Sequence, residues 1–490
     1  MQKSIADAGW RFDNSYARLP EPLFVRTTPT PVRAPALVAV NRPLAADLGL
    51  DADALVESAA ALFAGNELPP GAEPIAQAYA GHQFGHFTNL GDGRAILLGE
   101  QMTPDGRRVD VQLKGSGRTR YSRNGDGRAA LGPMLREYII SEGMHALGIP
   151  TSRSLAVAAT GETVLRELPL PGAVLTRVAD SHIRVGTFQY AAALGDRGLL
   201  ARLLDYAVAR HAPEAAPTPD PALAFLETVI ERQAALIAGW MLVGFVHGVM
   251  NTDNMAVSGE TIDYGPCAFL DTYDPATVFS SIDRQGRYAY ANQPAIAHWN
   301  LARLAECLLP LVHGGDDEAL DRTRTLLETF PERFARHHLA GARAKLGLAS
   351  AADDDRGLFD TLLEQMREQG ADFTSTFAGL AAVAESGIIP DDAARVPAFR
   401  GWYHSWLARL EREPGERTQA VARLRRSNPV VIPRNHRVEE ALAAAETGDH
   451  SVLERLLSVL RRPFTITPEN EVHRLGPPAG CGPYRTFCGT

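Results

Sequence analysis

Apolar and polar residues alternate with a period of two at Val109-Asp110-Val111-Gln112-Leu113, the pattern of a half-buried β-strand, and the run ends on Lys114. A short apolar run at 95–98 precedes it. Pro104-Asp105-Gly106 between the two is a turn signal, so they read as a hairpin. The spacing then becomes helical. Leu135, Ile139, Ile140 and Leu147 predict a helix over 133–147, stopped by Gly148 and Pro150. Three strand-like runs follow at 154–159, 162–168 and 173–178, with Thr160-Gly161 as the turn between the first two. Beyond Ser181 the pattern is helical. A Pro/Ala-rich linker at 213–221 leads into a long helix over 222–245 that carries Phe225, Leu226, Val229, Leu236, Ile237 and Trp240. Further helices are expected at 298–311, 317–345 and 354–368. Residues 1–90 read as an irregular lead-in, with short helices near 43–48 and 51–64 and a Gly/His-rich turn at 81–86. No internal repeat is visible.

The chain has 490 residues, room for roughly three domains of ~150 residues. We expect an α+β protein with four parts: an N-terminal extension (1–90), a strand-rich lobe (91–180), a helical lobe (181–345) and a helical C-terminal region (346–490). The net charge of -9 argues against a general nucleic-acid or anionic-membrane binder. The most apolar stretch, 234–250, is interrupted by Gly244, His247 and Gly248 and is shorter than the ~20 apolar residues of a membrane span. The N-terminus has no basic segment followed by an apolar core, and four cysteines make no disulfide framework. A cytoplasmic location is the expectation.

Chemistry concentrates in His247-Gly248-Val249-Met250-Asn251-Thr252-Asp253-Asn254, followed by Ile262-Asp263-Tyr264-Gly265. Kinase-type phosphotransferases place a His, a catalytic Asp two residues on, an Asn five further, and later an Asp-Phe-Gly metal motif. Here the His, the Asn and the later Asp keep their places, but Val249 stands at the position of the catalytic Asp. Valine accepts no proton. Asp253 lies four residues on and is the candidate base. Asn254 and Asp263 are hard oxygen ligands; a tight hairpin between them would bring both to one end, as Mg²⁺ or Mn²⁺ shared with phosphates requires. Lys114 resembles the strand lysine that reaches nucleotide phosphates, and Glu137 on the next helix is its candidate partner. Taken alone, each is an ordinary surface residue; their order along the chain gives them weight. Residues 115–127 hold four glycines with Arg118, Arg120 and Arg123, and Arg128 lies just beyond. Such a loop can approach phosphates closely and bind them by arginine forks. Gly91-Asp92-Gly93-Arg94 is a smaller turn of the same kind. Arg177 and Arg184 flank the passage between the two lobes. Together with these motif positions, the order of strands and helices resembles the bilobal protein kinase fold.

Gly-His-Gln-Phe-Gly at 81–85, Leu-Gly-Asp-Gly-Arg at 90–94, Gln-Leu-Lys-Gly-Ser-Gly-Arg-Thr at 112–119, Gly-Asp-Gly-Arg at 125–128 and the 247–254 and 262–266 segments resemble the selenoprotein O, or YdiU, family over nearly the whole chain. The resemblance implies a kinase-like protein that binds ATP in a flipped orientation. It implies AMP transfer to Ser, Thr or Tyr hydroxyls of other proteins with Mg²⁺ or Mn²⁺; UMP transfer is also ascribed to the family. It makes Asp253 the proton acceptor and Asn254 and Asp263 the metal ligands. It places Gly91, Gly93, Arg94, Lys114, Asp126, Gly127, Arg177, Arg184 and Asp263 around the nucleotide, with Glu137 holding Lys114. Family members carry a selenocysteine or cysteine three residues from the C-terminus. Cys488 stands there, followed by Gly489 and Thr490 rather than the usual two serines. A redox-active tail is what the cysteine at that position implies, and Cys481 and Cys267 are the candidate partners of Cys488. Two other readings use the same residues: a conventional phosphotransferase, against which Val249 speaks, and a catalytically dead nucleotide-binding scaffold, against which the Asn254 and Asp263 pair speaks.

Overall fold

The structure is a computed structural model that describes residues 8–478, 480–482 and 484–486. In chain order the strands are β1 (Phe24–Arg26), β2 (Ala36–Val40), β3 (Ile75–Gln77), β4 (Ala80–Gln83), β5 (His86–Asn89), β6 (Ala95–Met102), β7 (Arg108–Lys114), β8 (Ala129–Ala130), β9 (Arg153–Leu165) and β10 (Pro169–Ala179). Eight of them form one antiparallel sheet in the order β1-β3-β6-β7-β10-β9-β2, with β8 also on β10, while β4 and β5 make a separate hairpin. The predicted 95–114 hairpin is β6–β7.

Register decides what the sheet presents. Gln112 and Lys114 are two residues apart and so lie on one face, and Arg177 of β10 pairs directly opposite Gln112. Three polar side chains are thereby gathered on one face, with Asp110 and its cross-strand partner Glu100 further along it, bound to Arg210.

Both faces of the sheet are covered. Helices α1 (Arg42–Asp47) and α2 (Ala52–Phe63) lie on one side, where Leu44, Leu55 and Leu62 pack with Ala156, Ala158 and Val178. Helix α3 (Leu131–Ala146) lies on the other, where Leu135 and Ile139 join Val157 and Leu175. The alternation of Val157 with Ala156 and Ala158 is the strand period seen in the packing.

The second half is helical: α4 (Val185–Ala193), α5 (Arg197–His211), α6 (Pro221–Val243) and α7 (Gln293–Leu308), followed by further helices. A second core of Phe359, Phe373, Phe377, Trp402 and Trp406 joins the helices after residue 340. The helices Asn435–Glu446 and Ser451–Leu460 return to the sheet half, packing Val438, Leu442, Leu456 and Leu460 into the core that holds α3. Among the described residues no helix is long and apolar enough to cross a membrane.

Three expectations need correction. Residues 1–90 are not merely an irregular lead-in, since β1, β2 and β3 join the main sheet. Thr160-Gly161 makes no turn between two strands. The strand continues through it as a bulge, with Gly161 at φ +68° taking up the extra length. The expected helix over 317–345 is two, Asp316–Leu327 and Phe330–Lys345. Pro331 sits in the first turn of the second, where its missing N–H is harmless.

Candidate active site

β11 (Phe245–Val246) follows α6 and pairs with β12 (Ala268–Phe269), closing the two ends of the 247–267 segment together. His247 is completely buried and stacks on Trp240. Burial holds its pKa below the usual histidine value, and the neutral ring donates from Nε2 to the Ile262 carbonyl at 2.9 Å. The histidine is thus the rivet that fixes the Asp263 segment against the loop. The expected tight hairpin between Asn254 and Asp263 is present as a Met255–Thr261 bridge. Asp263 itself takes the left-handed conformation, φ +60°, which Asp tolerates better than most residues.

That backbone turn aims the Asp263 carboxylate at three cations. Lys114 Nζ lies 3.0 Å and Arg177 Nη1 2.6 Å from Oδ1, and Arg184 Nη1 donates to Oδ2. Glu137 completes the cluster, 2.6 Å from Lys114 and 3.2 Å from Arg177, while Arg177 also reaches Gln112 at 2.7 Å. Burial alone would raise the Asp263 pKa. The charges of Arg177, Arg184 and Lys114 outweigh it and hold the carboxyl well below the ordinary range.

Asp253 is the opposite case. Burial lifts its pKa to about 6 against the pull of Arg184, and its Oδ1 has no hydrogen-bond partner. The β4–β5 hairpin roofs it. His82 N donates to Thr252 Oγ1 at 2.7 Å and Phe84 N to Asn251 Oδ1 at 3.1 Å. The fit is so close that a Cβ on Gly81 would stand 2.2 Å from Asp253 Oδ1. Arg184 donates to the Asp253 carbonyl at 2.7 Å and lies 4.6 Å above the Tyr79 ring.

A cavity of about 360 Å³ brings together Gly93, Arg94, Lys114, Arg177, Arg184, Val249, Asp253, Asn254 and Asp263. A second, of about 480 Å³, adjoins it through Tyr79, Gly93 and Arg94 and holds Gly91, Asp126 and Gly127. Its floor needs glycine: Gly127 has φ +71°, and a Cβ there would sit 2.2 Å from the Gly117 carbonyl carbon. Asp126 is held by both Nη atoms of Arg166, at 2.9 and 3.1 Å. All the nucleotide residues expected from the sequence therefore line one of two connected cavities.

Asp92, Tyr79 and Asn251 also line the inner cavity and were not singled out by the sequence. Asp92 is buried, which lifts its pKa to about 6, and it accepts from Gln77 N and Gln112 Nε2 at 3.1 and 3.2 Å. Its position inside Gly91-Asp92-Gly93-Arg94 was the available signal.

For a divalent cation, no cluster of three or more His, Cys, Asp or Glu side chains exists among the described residues. A cation held largely by phosphates and water needs only one or two protein oxygens. Asn254 fits that role, because its amide nitrogen donates to the Val249 carbonyl at 3.0 Å and the side-chain oxygen remains for the cavity. Asp263 would supply the second oxygen once phosphates take over Lys114, Arg177 and Arg184, which here engage both of its oxygens.

Cys267 is buried, and burial pushes its thiol up to about 12; Cys481 is exposed. Among the described residues neither has a disulfide partner. Cys488 lies outside the described residues. The tail reaches the site's edge at Thr486, whose hydroxyl donates to the Pro266 carbonyl at 2.8 Å.

The family described as Protein adenylyltransferase SelO matches residues 9–461. A Protein nucleotidyltransferase YdiU of Geobacillus kaustophilus is 61% identical over 486 residues, spanning 99% of this chain and 100% of that protein. Proteins of the same name from Brevibacillus brevis and Bacillus cytotoxicus are 58% and 57% identical, covering 100% and 99% of this chain and 99% and 98% of their own lengths. On these matches the chain belongs to the SelO family of protein adenylyltransferases and is a nucleotidyltransferase.

Proposed function

We propose that the chain transfers AMP from ATP to a Ser, Thr or Tyr hydroxyl of another protein, in a kinase-like fold that seats the nucleotide flipped. One observation carries the reading. The inner cavity holds a buried carboxylate with a free oxygen, Asp253, beside Asn254 and Asp263, while Val249 stands where a γ-phosphoryl transferase keeps its base. With the adenosine end in the outer cavity among Gly91, Asp126 and Gly127, the phosphates run inward past Arg94 toward Lys114, Arg177 and Arg184.

The acceptor hydroxyl oxygen attacks the α-phosphorus. Its proton goes to Asp253, the bond from the α-phosphorus to the bridging oxygen breaks, and pyrophosphate leaves. Arg177 and Arg184 neutralise the charge that accumulates on the phosphates, and Glu137 keeps Lys114 pointed at them. A bound Mg²⁺ or Mn²⁺, held by Asn254 and Asp263, supplies charge neutralisation at the phosphates.

ATP labelled at the α-phosphorus is expected to mark acceptor protein covalently, with pyrophosphate released. Label arriving only from the γ-position would make the chain a phosphotransferase and end this reading. The pH profile gives a separate check. Asp253 accepts a proton only when ionised, so with its pKa at about 6 the value of kcat/KM falls about tenfold per pH unit below that point and is flat above it. A profile level from pH 5 to 8 would remove Asp253 as the base.

A further inference from the structure

A third cavity, of about 610 Å³, lies outside the inner one and shares two lining residues with it, Phe84 and Ile282. Its outer part carries His86, Arg284 and Arg287. In a chain of net charge -9 this is a local reversal of sign. Among the described residues neither arginine forms an ion pair, whereas Arg177, Arg184, Arg210 and Arg409 all meet carboxylates. The groove's own acid, Asp283, is taken up by the backbone. Its Oδ1 accepts from Arg287 N at 2.9 Å and its Oδ2 from Tyr288 N at 2.8 Å. Arg287 is held over Trp299 at 5.0 Å and Tyr288 at 5.7 Å, and its Nε has no hydrogen-bond partner. A cation fixed on aromatic faces and paired with no carboxylate among the described residues is suited to receive one from outside the chain.

Between this basic rim and the inner cavity the seam is apolar. Ile282 is 54% exposed, and Phe84 is fixed in a left-handed conformation at φ +50° by its bond to Asn251, two residues from Asp253. A segment lying along the groove thus meets Arg284 and Arg287 first, then Ile282 and Phe84, then the cavity of Asp253. We propose that this groove docks the acceptor protein through an acidic stretch flanking the modified hydroxyl, with one apolar residue between the two. The inference rests on the protein-AMP-transfer reading and adds the class of acceptor.

Binding is tested apart from chemistry. A fluorescein-labelled peptide carrying one serine, then a leucine, then three glutamates is titrated by anisotropy against the full chain, beside its counterpart with three lysines. The glutamate peptide is expected to bind at least about tenfold tighter, with the preference inverted in R284E/R287E and the advantage shrinking as salt rises. Nucleotide affinity measured on the same variant reports whether its cleft is folded. Equal binding of the two peptides, no binding of either, or an unchanged preference in a variant that still binds ATP would overturn the docking proposal. Label transfer from α-tagged ATP to an acceptor protein in any of those cases would leave the transfer reading standing.

Discussion

Asp253→Asn is expected to lose AMP transfer by about 10²–10⁴-fold while becoming more stable than the parent chain at pH 7.5. The loss follows from removing the proton acceptor; the gain follows from burial. Asp253 is buried, its Oδ1 has no partner, and its pKa is lifted from 3.8 to about 6. A carboxylate whose folded-state pKa lies above its unfolded one helps the fold below the unfolded value and loses that help as pH rises through the folded value. Above about pH 6 the ionised side chain therefore opposes folding, by up to about 3 kcal/mol for a shift of roughly two units. An amide of the same shape relieves most of this and brings back a smaller penalty from its own buried N–H groups, so a net gain of about 1–2 kcal/mol is expected. Near pH 4, where the parent side chain is protonated, only the amide penalty remains and the variant should be the less stable; the order reverses between pH 4 and 6 as the parent carboxyl ionises. Loss of activity with lower stability at pH 7.5 would place Asp253 among structural residues instead.

The sequence was legible where a local pattern and a motif coincide. The Val109–Leu113 alternation located β7, and Lys114 at its end falls opposite Glu137, as the order of strand and helix implied. The loop from His247 to Asn254 and the turn at Asp263 also fall where the motif puts them. What stayed hidden depends on contacts distant in sequence. β1 and β3 are three residues long and gain their identity only by pairing with one another and with β6, so no periodicity marks them. Gly81-His82-Gln83-Phe84-Gly85-His86 reads as a turn, but only Phe84 and Gly85 form one, between β4 and β5; that this hairpin caps the 247–254 loop rests on hydrogen bonds spanning some 170 positions, His82 to Thr252 among them. Asp92 looks like one more acid in a glycine turn until Gln77 and Gln112 are seen to hold it. Thr160-Gly161 misled because a bulge and a hairpin use the same residues.

Asp263→Asn is expected to act in the opposite sense on stability. Its carboxylate is the common partner of Lys114, Arg177 and Arg184, all of them buried. Glu137 still meets Lys114 and Arg177 in the variant, so Arg184 loses most, retaining only the Asp253 carbonyl and the Tyr79 ring. Taking one partner from a buried charge cluster costs about 3–5 kcal/mol, and transfer falls by at least about 10²-fold with the loss of a metal oxygen. The pH sign is worked out from the depressed pKa. Asp263 contributes its stability above its unfolded value near 3.8 and loses it as pH falls through the folded value, so the gap between parent and variant closes in acid. ATP added without metal supplies a replacement anion to the same three cations. It should raise the melting temperature of Asp263→Asn more than that of the parent, whose own carboxylate competes for them. Equal stability of the two proteins at neutral pH, or an equal response to ATP, would show that Asp263 is not the anion that the positive cluster is built around.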